Sequence, residues 1–305
     1  MPRETAVVVA NYAGDDVLDE CLRSVAAQTR PAAELIVVDA GPTEGAARVG
    51  ERHGARLLHR PNRGLGYLYN EGARASRAEL VLLLNNDVAL EPTCVEELVA
   101  AFATSDDLFA ADPRQVGWDG KALVHGRASL CRGPLVRQPL PGFRLDLAGA
   151  AHDPVPTVSA NGGAMLVDRA RMLELGGFDE TMFMDFEDID LCWRAWCRGW
   201  SSVHVPAATV RHRVGVATRE SGVLSRRHRS SHHNLVRFAL KCFPPEDAAL
   251  VVLGELLRLP RHPTLIAPAL ARIALELPEI LAERRATGPS RALMRWILAG
   301  QPSQP

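Results

Sequence analysis

Lysine is nearly missing from this 305-residue chain. Lys121 and Lys241 are its only two, and arginine supplies the rest of 35 basic side chains against 36 acidic ones. The net charge of −1 argues against the basic footprint of a nucleic-acid binder. Cysteine is sparse and badly spaced for metal or disulfide work: residues 21, 94, 131, 192, 197 and 242 form no CxxC pair. That excludes a zinc ribbon or a disulfide scaffold and leaves reduced thiols in a cytoplasmic protein. Long apolar runs are absent too. No window reaches the roughly eighteen residues a spanning helix needs, and the five-residue run at 6–10 is too short for a signal-peptide core. The expectation is a cytoplasmic protein, at most peripheral on the inner face of the membrane. A composition 47% hydrophobic and 23% charged then excludes disorder as the dominant state and allows one large or two ordinary domains.

What is present alternates. Short β-branched runs at 6–10, 35–38, 55–59 and 80–84 read as strands, and 15–28, 44–53 and 70–75 between them as helices. Such alternation predicts a mostly parallel sheet with helices on both faces, which binds ligands beyond the carboxyl ends of its strands. Three of those ends carry polar residues: Asn11, Asp39 and Asp87. Residues 105–157, rich in Pro, Gly and Arg, read as short strands and loops packed beside the sheet. A strand is expected over 157–167, a helix from Asp168 closed by Gly176 and Gly177, and another helix over 188–198 stopped by Gly199. Residues 246–300 read as two or three amphipathic helices, with Leu250, Leu253, Leu256 and Leu257 on one apolar face. These helices either pack on the preceding domain or lie on a membrane surface.

Four constellations can carry chemistry. The first is an acidic cluster, Asp179, Glu180, Asp185, Glu187, Asp188 and Asp190, interleaved with phenylalanine and methionine. Carboxylates held against apolar side chains lose water, which raises their pKa toward that of a useful proton acceptor. Helix capping by Glu187 and Asp188 is the alternative reading. The second is Asn85-Asn86-Asp87 at a strand exit, which offers the oxygen ligands that Mg²⁺ or Mn²⁺ prefer or else simple turn chemistry. The third, Asn62-Arg63-Gly64 running into Asn70 and Gly72, is either a phosphate-facing loop or an ordinary one. The fourth is a basic stretch holding His204, His212, His228, His232 and His233 with Arg211, Arg213, Arg226, Arg227 and Arg229. It reads as a loop over a diphosphate or as a solvated surface, with His212 able to ligate a metal.

In their order along residues 5–245, these segments resemble a family 2 glycosyltransferase of the GT-A fold, near its rhamnosyltransferase-like branch. The match runs through Val7-Val8-Val9-Ala10-Asn11-Tyr12, the segment ending at Asp39, Asn62-Arg63-Gly64 with Asn70, and Asn85-Asn86-Asp87 in the place of the family's DXD element. It continues through Gly176-Gly177-Phe178-Asp179-Glu180 and Glu187-Asp188-Ile189-Asp190-Leu191. The resemblance implies an α/β nucleotide-sugar-binding fold over residues 1–243, with a donor half at 1–104 and an acceptor half at 105–243. A helical extension follows at 244–305. It implies an inverting, metal-dependent transfer from a nucleotide-diphospho-sugar, UDP- or dTDP-linked, to a saccharide, lipid-linked saccharide or other glycoconjugate. Asp188 would be the catalytic base with Glu187 beside it, and Asp87 and His212 would hold Mg²⁺ or Mn²⁺. Asn11, Asp39, Asn62, Gly64, Asn70 and Asn86 would face the nucleotide. Trp193 and Trp196 either floor the acceptor pocket or pack in the core. Two competing readings are a nucleotidyltransferase, which lacks its expected lysine-bearing N-terminal loop here, and a degenerate member that binds without catalysis.

Overall fold

The computed structural model describes residues 3–42, 44–131, 142–146, 153–213 and 223–299. β1 (Thr5–Asn11) is seven buried residues in a row, the apolar continuity of a strand covered on both faces. After it come α1 (Asp15–Ala26), β2 (Glu34–Asp39), α2 (Gly45–Arg52), β3 (Arg56–His59), α3 (Leu65–Ala75) and β4 (Leu80–Asn85). β4, β1, β2 and β3 lie side by side in parallel. Asn11 is therefore the register partner of Asp39, and Ala10 that of Asn85. The polar residues that end these strands emerge together at one edge of the sheet.

The chain goes on through β5 (Val88–Leu90), α4 (Cys94–Ala101), β6 (Leu108–Gly117), β7 (Leu123–His125), β8 (Arg127–Cys131) and β9 (Gly142–Asp146). β10 (Val155–Pro156), β11 (Ala164–Asp168), α5 (Arg169–Glu174), α6 (Glu187–Cys197) and β12 (Ser201–His212) complete the sheet side. Four helices end the described chain: α7 (Val223–Cys242), α8 (Pro245–Arg258), α9 (Pro263–Thr287) and α10 (Arg291–Leu298). Beyond β4 the sheet continues as β11, β6, β12 and β10. β11 is antiparallel to both neighbours, and β12 runs parallel to β6. One face packs on α1, α2 and α4 through Leu18, Leu22, Val49 and Leu98. The other packs on α3, α5 and α6 through Leu68, Tyr69, Met172 and Leu191.

Four expectations are corrected. Residues 105–157 are not merely beside the sheet, because β6 lies within it between β11 and β12. The strand expected over 157–167 starts only at Ala164; before it the chain is buried but irregular. The basic stretch is largely helical: α7 carries His228, His232 and His233, while the side chains of Arg226 and Arg229 lie outside the described residues. Finally, Leu253, Leu256 and Leu257 of α8 face outward, whereas Ala248, Val251, Gly254 and Glu255 are buried. α8 and α10 share a core with α6, in which Trp193 and Trp196 meet Phe238, Phe243, Val251, Leu293 and Ile297. Both tryptophans are thus core residues. Their ring N–H groups donate to the carbonyls of Cys242 (3.0 Å) and Thr157 (3.2 Å).

Candidate active site

At the carboxyl edge of the parallel strands, three side chains form a chain of hydrogen bonds. Asn86 Nδ2 donates to Asn11 Oδ1 (2.6 Å) and to the Ala13 carbonyl (2.6 Å), and Asn11 Nδ2 donates to Asp39 Oδ1 (2.7 Å). All three are buried. The backbone N–H of Gly41 also donates to Asp39 Oδ1 (3.1 Å), and His59 lies 3.4 Å from Oδ2. Asp39 is thereby fixed at the rim of the first three strands, next to the cavity and not in its wall.

The cavity itself is about 770 Å³ and spans both halves of the sheet, within the size range of small-molecule sites. Its walls include Asn11, Asn62, Gly64, Asn86, Asp87, His212, Glu187 and Asp188. It also takes in Arg227 of the basic stretch, Asn161, and two residues that sequence reasoning passed over, Gln115 and His125. Gly64, at φ +116°, could not be replaced cheaply, since a Cβ there would lie 2.5 Å from the Phe183 carbonyl oxygen. The loop entering α3 thus abuts the loop entering α6. Asn70 does not reach the cavity. Its amide is taken up by Phe178, accepting from the backbone N–H (2.8 Å) and donating to the carbonyl (3.0 Å), and it also donates to Glu180 (3.1 Å). It is a staple for the glycine-rich turn before α6.

Asp87 and His212 come from chain segments 125 positions apart, and His212 Nε2 lies 3.2 Å from Asp87 Oδ1. β5 pairs with the end of β12 and sets this approach. On its other side His212 Nδ1 is bonded to Gln115 Oε1 (2.9 Å), and Gln115 Nε2 donates to Asn161 Oδ1 (3.0 Å). One carboxylate and one oriented imidazole suit Mg²⁺ or Mn²⁺, which usually takes few protein ligands and completes its shell with water and substrate phosphate. Among the described residues no group of three His, Cys, Asp or Glu side chains gathers into a cage. The donors present therefore fit an ion held jointly with a diphosphate.

The turn at Asn161–Gly163 is gripped on every side. The Gly162 N–H donates to Asp188 Oδ2 (2.9 Å), the Gly163 N–H to Asn161 Oδ1 (2.9 Å), and the Tyr69 hydroxyl to the Gly162 carbonyl (2.7 Å). Asp188 accepts a second N–H from Ile189 (2.7 Å). Desolvation raises its pKa against these donors. Glu187 is more extreme: it is buried, Oε2 has no partner, and burial together with the charge of Asp188 pushes its pKa far above the usual carboxylate range. Just before this pair, Asp185 and Phe186 both have φ +72°, the left-handed region that non-glycine residues rarely adopt. α7 holds them there. Arg227 Nε donates to both Asp185 oxygens (2.9 Å each), Ser231 Oγ to Oδ2 (2.7 Å), and Asn234 Nδ2 to the carbonyls of Met184 and Asp185.

Comparison with known proteins gives a consistent picture. Residues 6–161 match the model of "Glycosyl transferase family 2". The chain is 29% identical over 252 residues to an N-acetylglucosaminyl-diphospho-decaprenol L-rhamnosyltransferase of Mycobacterium tuberculosis, covering 74% of this chain and 80% of the relative. Among solved structures, GalNAc-T7 with UDP, GalNAc and Mn²⁺ superposes with a TM-score of 0.62 at 16% identity. That match covers 80% of this chain and 48% of the other. The mannosyltransferase PcManGT of Pyrobaculum calidifontis, in complex with GDP-Man and Mn²⁺, covers 99% of this chain and 84% of its own at a TM-score of 0.54 and 18% identity. These likenesses identify the fold as the GT-A type.

Proposed function

Since this chain belongs to glycosyl transferase family 2, we propose that it moves a sugar from a nucleotide-diphospho-sugar to a hydroxyl by a single inverting displacement. The observation that carries this reading is the shared cavity, where the Asp87–His212 pair and the Glu187–Asp188 pair are joined through the one Asn161–Gly163 turn. Asp87 and His212 would hold a divalent ion, which when bound supplies positive charge against the leaving diphosphate. Asn11, Asn62, Gly64 and Asn86 line the donor side, and Asp39 sits at its rim for the nucleoside. The base is Asp188. It takes the proton of the acceptor hydroxyl as that oxygen bonds to the anomeric carbon, and the pair of the breaking C–O bond leaves on the diphosphate. Residues 1–243 hold the catalytic unit in this reading, and the helices described over 244–299 a buttress fused to it through α6.

The relative's name points to a lipid-linked saccharide as the acceptor class and to a deoxyhexose as the sugar. No helix among the described residues is long and apolar enough to cross a membrane. The outward leucines of α8, Leu253, Leu256 and Leu257, form the surface we assign to peripheral contact with a bilayer presenting such an acceptor.

Calorimetric titration with UDP, GDP and dTDP, each with and without Mn²⁺, tests the donor site. One nucleotide should bind in a metal-dependent way, and Asp87→Ala should abolish the metal dependence. Binding of no nucleotide would move the weight to a non-catalytic member of the family.

A further inference from the structure

The least expected part of the cavity wall is His125, on the short strand β7. Behind it stands Asp112 of β6, fully buried and bracketed by two histidines: His204 Nδ1 lies 3.2 Å and His125 Nε2 3.3 Å from the same oxygen, Oδ2. The other oxygen of Asp112, Oδ1, accepts the backbone N–H of Asn161 (3.0 Å). The very next N–H, that of Gly162, donates to Asp188. Two carboxylates are thus moored to consecutive amides of one turn, and His125 lies against the first of them while facing the cavity that holds the second. His125 is itself nearly enclosed, with 13% of its side chain exposed.

We propose that His125, seated by Asp112, is a positioning residue that keeps a positive charge in the cavity wall it shares with Asp188, so that the base stands ionised. The charges are arranged for it. Asp112 cannot be buried as an anion without a cation, and although burial opposes its ionisation, the two histidines outweigh that and hold its pKa below the usual value. Burial also opposes the charge of His125, but Asp112 more than compensates, and Asp188 adds to the effect. Around Asp188 the other charged groups are Asp185, which works against its ionisation, and Arg227 bound to Asp185, while Glu187 keeps its proton. Tyr69 and Cys192 are neutral neighbours, the Cys192 thiol pushed up to about 12 by burial. His125 is the cation that opposes the crowd of acids.

The inference rests on Asp188 being the base, and a direct titration separates the two claims. Carbon-13 NMR of protein labelled at the aspartate carboxyls, with Asp188→Asn to assign the signal, reads the Asp188 midpoint without any substrate. In His125→Gln that midpoint should rise by about one pH unit, the usual effect of removing a neighbouring opposite charge, and His125→Lys should bring it back. Coupling is reciprocal, so the imidazole midpoint of His125 should fall by a similar amount in Asp188→Asn. This second reading leaves His125 intact and decides the matter if His125→Gln does not fold. An Asp188 midpoint unchanged in His125→Gln, or a His125 midpoint unchanged in Asp188→Asn, would overturn the proposal. Coupled titrations with full turnover in Asp188→Asn would instead remove the base assignment and leave the coupling standing.

Discussion

Glu187 and Asp188 are adjacent in sequence and face the same cavity, but their surroundings differ. Asp188 has two N–H donors and is available to a substrate; Glu187 has an oxygen without a partner inside the protein. Asp188→Asn should therefore lower turnover by about two to four orders of magnitude while leaving nucleotide affinity nearly unchanged, the usual worth of a general base; steady-state kinetics beside calorimetry checks it. Glu187 makes a prediction about stability. Its folded-state pKa lies above its unfolded value of roughly 4.3. The folded protein thus binds the extra proton, and the stability this gives is lost as pH rises from there through the folded pKa. Glu187→Gln should raise the melting temperature, and by more at pH 8 than at pH 5. A melting temperature lowered equally at both would show that the carboxyl is satisfied. At this scale the sequence was informative about carboxylates crowded among phenylalanines. His125 and Gln115 left no mark in it, because the histidines that complete their surroundings, His204 on Asp112 and His212 on Gln115, arrive from β12, far along the chain.

Among the elements, α7 was the least legible, and its packing explains why. Helices are read from an apolar stripe, but α7 buries His233, Asn234, Arg237 and Lys241. Those side chains are matched by acids from elsewhere. Arg237 reaches Asp179 (2.8 Å) and Glu283 (2.7 Å), Lys241 reaches Asp179 (2.5 Å) and Asp190 (2.8 Å), and His233 reaches Glu276 (2.8 Å). Burial opposes the ionisation of Asp179, yet Lys241 and Arg237 pull its pKa far below the usual range. β6 escaped notice for a related reason, since Asp112, Pro113 and Gln115 interrupt its apolar pattern although Asp112 and Gln115 are fully buried. The apolar stripe read on α8 divides, with Leu250 packed on the core and Leu253, Leu256 and Leu257 pointing outward. Breaking the buried network from one side should be costly. Arg237→Met leaves acids short of a partner and should destabilise the fold by about 3–5 kcal/mol, measured by urea unfolding at neutral pH. A loss under 1 kcal/mol would mean that Lys241 alone neutralises the cluster.

Across the whole molecule, the first hundred residues were the most legible part, because parallel strands covered on both faces declare themselves as apolar runs. The tail was not, because its outward leucines mimic a core-facing stripe. That surface is open to test. With the outward leucines intact the protein should sediment with phosphatidylglycerol vesicles. Replacing Leu253, Leu256 and Leu257 together by serine should reduce the bound fraction several-fold without lowering the melting temperature, since these positions are already 45%, 48% and 46% exposed. Equal sedimentation of both proteins would assign that surface to another partner. The turn at Asn161–Gly163 has a wider consequence. Asp87 and His212 are tied to it through Gln115 and the Asn161 side chain, and Asp188 hangs from the amide of Gly162, with Tyr69 pinning the middle. In the proposed reaction it works as a caliper set to one opening, fixing the span between the group that departs and the group that receives the proton. Substrate choice can then drift in the loops around the cavity while the reacting distance stays the same.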